Sequence, residues 1–177
     1  MIIDFHSHVF PDAIAQRAIE TLSKTEGLIS YTKGTTASLL ASSGRAKVNV
    51  SLLLPVVTKP TQTPKILDEV LECHENFIKA IEEKRFDESL IESFGGVHPD
   101  NENYKEVIDT LHSHGIKGIK LHPVFQDTCF DDIKYLKIID YACEKNMLIS
   151  VHAGLDVSMP SSECARPEHI IPVLKAT

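Results

Sequence analysis

The sequence contains no long hydrophobic run. Its longest apolar stretch, Leu52 to Val57, is already interrupted by Pro55, well short of the ~20 residues a membrane-spanning helix needs. No basic segment with an apolar core precedes the first strand-like residues, so nothing reads as a secretory signal. There is no C-x-x-C pair. Cys73, Cys129, Cys143 and Cys164 are scattered, a spacing that reads as reduced thiols of a cytoplasmic protein rather than a disulfide frame or zinc knuckle. Positive charge is in deficit as well: 18 Lys and Arg against 25 Asp and Glu leave a net charge of −7, with a pI near 5.7. That balance weighs against non-specific nucleic-acid binding. What is present is ordinary for a globular chain: 177 residues, 42% hydrophobic and 24% charged. These figures predict a single domain over residues 1–177 with a substantial core, no membrane partner and no nucleic-acid partner.

Along the chain, apolar runs alternate with helical periodicity. Residues 1–6, Lys47 to Leu54, Leu90 to Val97, Ile116 to Leu121 and Met147 to Val151 read as five strands. Between them, Ile14, Ala18, Ile19 and Leu22 mark a helix ended by Gly27, followed by a loop over 28–35. A short helix through Leu39 and Leu40 is closed by Gly44. Thr63-Pro64 has the form of an N-cap and first helical residue, leading a long amphipathic helix through Ile66 to Ile81. Asn103 with Glu106 resembles a capping box, and Gly115 closes the helix they open. Asp131 or Asp132 opens the next, with Asn146 as its stop. Arg166-Pro167 leads the last. Strand-helix alternation implies parallel strands joined by right-handed crossovers.

The histidines fall on this pattern. His6 and His8 sit one residue apart at the end of the first strand, on the same face if the strand continues, where two imidazoles can share one metal ion. An edge strand with two solvated histidines is the bland reading of that tripeptide. The rest of the chain repeats the device: His98, His122 and His152 follow the third, fourth and fifth strands. In a (β/α) barrel the C-terminal strand ends are where the active site is built. His74, His112, His114 and His169 fall in helices and read as surface or structural residues.

The ordered set His6-Ser7-His8, Gly96-Val97-His98-Pro99, Gly118-Ile119-Lys120-Leu121-His122-Pro123 and Val151-His152-Ala153-Gly154 resembles the amidohydrolase superfamily. The nearest branch is the amidohydrolase-related group that includes aminocarboxymuconate-semialdehyde decarboxylase. The resemblance implies an α/β fold, part of a TIM (β/α)8 barrel with five parallel strands, and a divalent metal, most often Zn2+. It implies a small-molecule substrate attacked or decarboxylated through a metal-activated water. By motif position His6, His8 and His152 would be metal ligands. Lys120 and His122 would be catalytic, with Lys120 at the place of a metal-bridging carbamylated lysine in some branches and a plain buried lysine in others. His98 and Arg166 would bind substrate.

The resemblance also carries a departure. The family expects a histidine after a sixth strand and an aspartate after an eighth, and a full barrel takes about 250 residues, whereas this chain stops at Thr177. The expectation is therefore a fragment, inactive by itself. Two other readings stay open: a non-catalytic α/β module, and a TatD-like metal-dependent nuclease, a family with glutamate where Lys120 stands. A phosphatase of the polymerase-and-histidinol-phosphatase type also begins with His-x-His, but its following Asp-Asp-Gly is absent after Pro11.

Overall fold

The computed structural model describes residues 1–27 and 29–176, so Leu28 of the expected 28–35 loop lies outside the described residues, as does Thr177. The chain resolves into two compact units, Met1–Leu53 with Glu72–Ser93, and Leu54–Leu71 with Phe94–Thr177. No described helix is long and apolar enough to cross a membrane.

The first unit contains β1 (Ile3–Ser7), α1 (Asp12–Glu26), α2 (Thr36–Ala46), β2 (Val50–Leu53), the later turns of α3 (Thr63–Glu82) and β3 (Leu90–Ser93). Its strands pair in parallel in the order β1-β2-β3. Gly27 ends α1 in the left-handed region at φ 65°, as its lack of a Cβ allows. Gly44, expected to close the second helix, lies inside α2; the cap is Lys47 at φ 57°, three residues further on, which the sequence did not mark. Buried polar groups are paired: Ser43 Oγ meets Ser51 Oγ at 2.8 Å, and His74 Nδ1 meets Glu92 Oε2 at 2.7 Å.

The second unit contains the start of α3, β4 (Gly95–Gly96), α4 (Tyr104–Ser113), β5 (Gly118–Leu121), α5 (Ile133–Glu144), β6 (Leu148–Val151) and α6 (Pro167–Ala176). Its strands are again parallel, in the order β4-β5-β6. One apolar cluster is built from Val107, Ile108 and Leu111 of α4, Ile119 and Leu121 of β5, and Tyr135, Ile138, Ile139 and Ala142 of α5, all fully or nearly fully buried. Burial of this kind stabilises by about 25 cal/mol per Å² of apolar surface, and here it fixes the helical layer onto one face of the sheet.

The expected third strand, 90–97, is divided: β3 and β4 flank Phe94 and belong to different sheets. Close packing explains why glycines occupy the short β4. A Cβ on Gly95 would lie 2.2 Å from Leu111 Cδ1, and one on Gly96 2.6 Å from Val57 Cγ2. Helix termini also differ in part from expectation. Asp132 caps α5 by accepting from Lys134 N at 2.8 Å, and Asn146 stops it at φ 54°. Asn103 makes no side-chain cap bond, so the Asn103/Glu106 box does not form. Thr63 is already helical after a 3-10 turn, Pro60–Gln62; its hydroxyl donates to Asn101 Oδ1 at 2.6 Å instead.

The cysteines bring the largest correction. Cys129 and Cys164 form a disulfide, while Cys73 and Cys143 are free thiols. A separation of 35 residues hides the pairing in sequence. The pairing of β5 with β6 makes neighbours of the loops that follow them.

Candidate functional site

In the first unit the feature is the exit from β1. Pairing with β2 runs Ile3 to Val50 and Asp4 to Ser51, then resumes at Ser7 with Leu53, so β1 carries one extra residue around Phe5 and His6. Such a bulge redirects the side chains near it. Asp4 braces the turn, Oδ1 accepting from His6 N at 3.2 Å and Oδ2 from Ser7 Oγ at 2.8 Å. The outcome is an exposed pair: His6 Nε2 and His8 Nε2 stand 3.0 Å apart, with ring centroids at 4.9 Å. Two nitrogens each ~2.0–2.1 Å from one ion are separated by roughly 3 Å, so the pair fits a shared divalent cation.

In the second unit, position follows from register. Gly96 pairs with Lys120, and Lys120 with Ser150. His98, His122 and His152 each stand two residues past that row, at the C-terminal end of the sheet. Ile119 and Leu121 enter the apolar cluster, so alternation turns Lys120 to the opposite face. Lys120 is 1% exposed, and its Nζ has no hydrogen-bond partner among the described residues. Burial pushes its pKa down to about 8, because an ammonium loses hydration there and gains nothing in return.

His122 lies in a three-ring stack, Phe125 on one side at 4.2 Å and His152 on the other at 4.1 Å. Its Nδ1 accepts from Phe125 N at 3.3 Å, which leaves the proton on Nε2. That Nε2 faces Asp156 Oδ2 at 4.0 Å, and His152 Nε2 faces the same oxygen at 3.8 Å. Asp156 is held by Ser158, whose backbone N donates at 2.9 Å and whose hydroxyl also donates to Oδ1. Burial alone would raise the Asp156 carboxyl. The two bonds from Ser158 and the neighbouring imidazoles outweigh it and hold the group below its ordinary range.

The donor atoms of His122, His152 and Asp156 all lie within 4.8 Å of one another. Two imidazoles and a carboxylate are borderline to hard ligands suited to a divalent first-row cation. The tautomer divides the labour. His152 and Asp156 offer lone pairs, whereas His122 presents an N–H and acts as donor beside them.

His98 differs from its two counterparts. Its Nδ1 accepts from Asp100 N at 3.1 Å, and its ring also bonds the backbone of Thr58. Burial lowers its pKa, against the pull of Asp100. His98 therefore holds the turn after β4 in place. Arg166 lies at the surface, paired with Glu163 at 2.9 Å.

Two residues that sequence reasoning missed complete the site. Asp156 had only its place four residues after His152 to mark it. Gln126 is 4% exposed and ties the loops together: its Nε2 donates to Val57 O and Val97 O, each at 2.8 Å. Its Oε1 accepts from His122 N at 2.9 Å and from the Tyr135 hydroxyl. Nothing in its neighbourhood of the sequence distinguishes it from a surface glutamine.

In its parallel β/α fold the chain is similar to a solved amidohydrolase II structure and to decarboxylase structures. An amidohydrolase II structure is 14% identical with a TM-score of 0.56, covering 92% of this chain and 53% of that one. The 5-carboxyvanillate decarboxylase of Novosphingobium aromaticivorans, complexed with manganese and 4-hydroxy-3-methoxy-5-nitrobenzoic acid, is 15% identical with a TM-score of 0.57, covering 99% and 54%. The 5-carboxyvanillate decarboxylase of Sphingomonas paucimobilis is 11% identical with a TM-score of 0.56, covering 98% and 61%. The chain thus spans between half and about three-fifths of the length of the solved structures it matches. No protein-family model and no curated protein matches the sequence.

Proposed function

We propose that this chain carries the site of a metal-dependent hydrolase or carboxy-lyase acting on a small molecule. The observation that carries the reading is the meeting of His152, Asp156 and His122 at one sheet end. His152 and Asp156 would hold the divalent cation in the second unit, and His6 and His8 form a metal-holding pair in the first. A bound cation supplies Lewis-acid polarisation of a carbonyl and acidifies water. Zn2+ is the ion the motifs imply; Mn2+, present in one similar decarboxylase structure, suits the mixed nitrogen and oxygen donors equally.

The chain's own residues supply hydrogen-bond donors and acceptors to the site. His122 Nε2–H is the donor, its ring fixed by Phe125 N and the stack. Asp156, kept ionised by Ser158, is the acceptor facing it. Hydrolysis needs a proton for the leaving group, and decarboxylation needs one for the ring carbon once carbon dioxide departs. His122, neutral with Nδ1 accepting from Phe125 N, can orient either centre by a hydrogen bond from Nε2–H but does not itself give up that proton. Lys120, with a pKa near 8, holds a usable fraction of free amine. That amine is the form that combines with carbon dioxide to give a carbamate and release a proton. Arg166 would have to leave Glu163 to meet a substrate carboxylate, and His98 supports the site by holding its own turn.

The test is a panel of amides, esters and hydroxybenzoate carboxylates, run with the protein loaded with Zn2+ or Mn2+. Metal content is measured alongside. Stoichiometric metal in the parent that falls in His152→Ala and Asp156→Ala is the expected result, and any turnover should fall with it. A protein that binds neither ion, or whose activity is untouched by both changes, overturns the reading.

A further inference from the structure

The loop from His152 to Arg166 carries Asp156 yet has little hold on the rest of its unit. Among the described residues, 155–163 make hydrogen bonds only inside the loop: Ser158 to Asp156, Met159 N to Asp156 O at 3.1 Å, and Ser162 N to Met159 O at 3.0 Å, with Arg166 N reaching Glu163 O at 3.0 Å. Leu155, Val157 and Met159 on it are exposed. Gly154 N donates to Ala165 O at 2.8 Å and closes the loop's two ends on each other.

The ties that hold it all lie at one corner. Cys164 is bonded to Cys129 of the β5–α5 loop and Phe130 N donates to Cys164 O at 3.2 Å; just past the loop, His169 Nδ1 of α6 meets Asp131 Oδ1 at 2.8 Å. The β5–α5 loop begins with His122 and is anchored by Gln126. The disulfide therefore joins the anchored loop that carries His122 to the loosely held loop that carries Asp156. The contacts it spans are the 4.0 Å and 3.8 Å approaches of Asp156 to His122 and His152.

We propose that Cys129 and Cys164 are a positioning pair whose disulfide holds Asp156 against His122 and His152, so that assembly of the site depends on redox state. The step is a two-electron exchange with a dithiol: the dithiol is oxidised to its cyclic disulfide, the Cys129–Cys164 bond breaks, and each sulfur takes a proton. Cys73 and Cys143 take no part. The proposal rests on the reading of His152 and Asp156 as metal ligands only for its affinity readout, not for its structural one.

The experiment uses the full chain, oxidised or reduced by a dithiol, together with Cys129→Ala/Cys164→Ala. Amide hydrogen exchange is followed by mass spectrometry and manganese chloride binding by calorimetry. On reduction and in the double variant, exchange in residues 155–164 should rise at least tenfold while α4 and α5 keep their protection. Mn2+ affinity should fall at least tenfold, and reoxidation should restore both in the parent alone. Equal loop exchange in the two redox forms overturns the proposal. So does loss of protection in α4 and α5 together with the loop, since the disulfide would then be a general staple of the unit. Absence of Mn2+ binding in the oxidised form overturns the metal reading instead, and loop exchange still decides the clamp.

Discussion

Lys120 gives the fold a pH dependence with a definite sign. Its pKa is about 8 in the folded chain against an ordinary 10.5. Above pH 10.5 the amine is neutral in both states and folding carries no penalty. Between 10.5 and 8 the unfolded chain binds a proton that the folded one does not, so stability falls as pH falls. Below 8 both states are charged and the penalty is constant. At 1.36 kcal/mol per pKa unit, the full swing is up to about 3 kcal/mol. Cys73 opposes this in part of the window: burial, with Glu92 and Glu72 nearby, raises its thiol from 9.0 to about 12, so its contribution declines above pH 9. The informative quantity is therefore the difference between the parent and Lys120→Met, which keeps the chain length and removes the charge. The assay is urea denaturation followed by far-ultraviolet circular dichroism, since the sequence has no tryptophan. Buffers should be free of metal and bicarbonate, so that the amine has neither a ligand role nor a carbamate. Lys120→Met should be more stable than the parent by up to about 3 kcal/mol at pH 7, and the gap should close by pH 10.5. A constant gap across that range, or a less stable variant at pH 7, would refute the placement of an unpaired ammonium in the interior.

Other changes test the remaining supports. Gln126→Leu strips partners from Val57 O, Val97 O, His122 N and the Tyr135 hydroxyl at once; a loss of about 3 kcal/mol or more is expected in the same denaturation assay. Gly118→Ala places a Cβ 2.7 Å from Leu148 O, a backbone atom of the neighbouring strand, and should destabilise by about 1–3 kcal/mol with raised amide exchange in β6. Asp156→Asn keeps the shape and removes the charge, so calorimetry should show Mn2+ affinity reduced at least tenfold, with the circular dichroism spectrum unchanged.

The β/α order was legible because each strand is a short apolar run stopped by a strong signal: Pro55 after β2, His98-Pro99 after β4, His122-Pro123 after β5. Gly27, Gly115 and Asn146 were legible as helix stops, since each takes a positive φ that few other residues adopt without strain. What escaped depends on contacts across the chain. The division at Phe94 follows from two glycines packed against Leu111 and Val57, and no local pattern separates them from a continuing strand. The bulge at His6 is a mismatch of two strands 47 residues apart, visible only once they pair. The reading of four reduced thiols failed for a like reason, because loops after adjacent strands meet whatever their separation in sequence. Asp156 and Gln126 are polar residues on loops, and their burial is what gives them meaning.

The three strand-end histidines of the second unit show how far motif position carries. His98, His122 and His152 hold equivalent places, two residues past an in-register row, and sequence gives no reason to separate them. The other ring nitrogen does. His98 is engaged on both sides, by Asp100 N and the backbone of Thr58, and so becomes a brace. His122 accepts Phe125 N at Nδ1, which makes Nε2 a donor and unsuits it as a ligand in that tautomer. His152 faces Asp156 alongside that donor, which suits it to hold a cation. The division of roles is thus written in backbone N–H groups two and three residues downstream of the first two histidines. Their positions are fixed by turns that Asn101 and Gln126 tie down. A change in either turn alters which proton the site can offer before it alters any residue that would touch substrate.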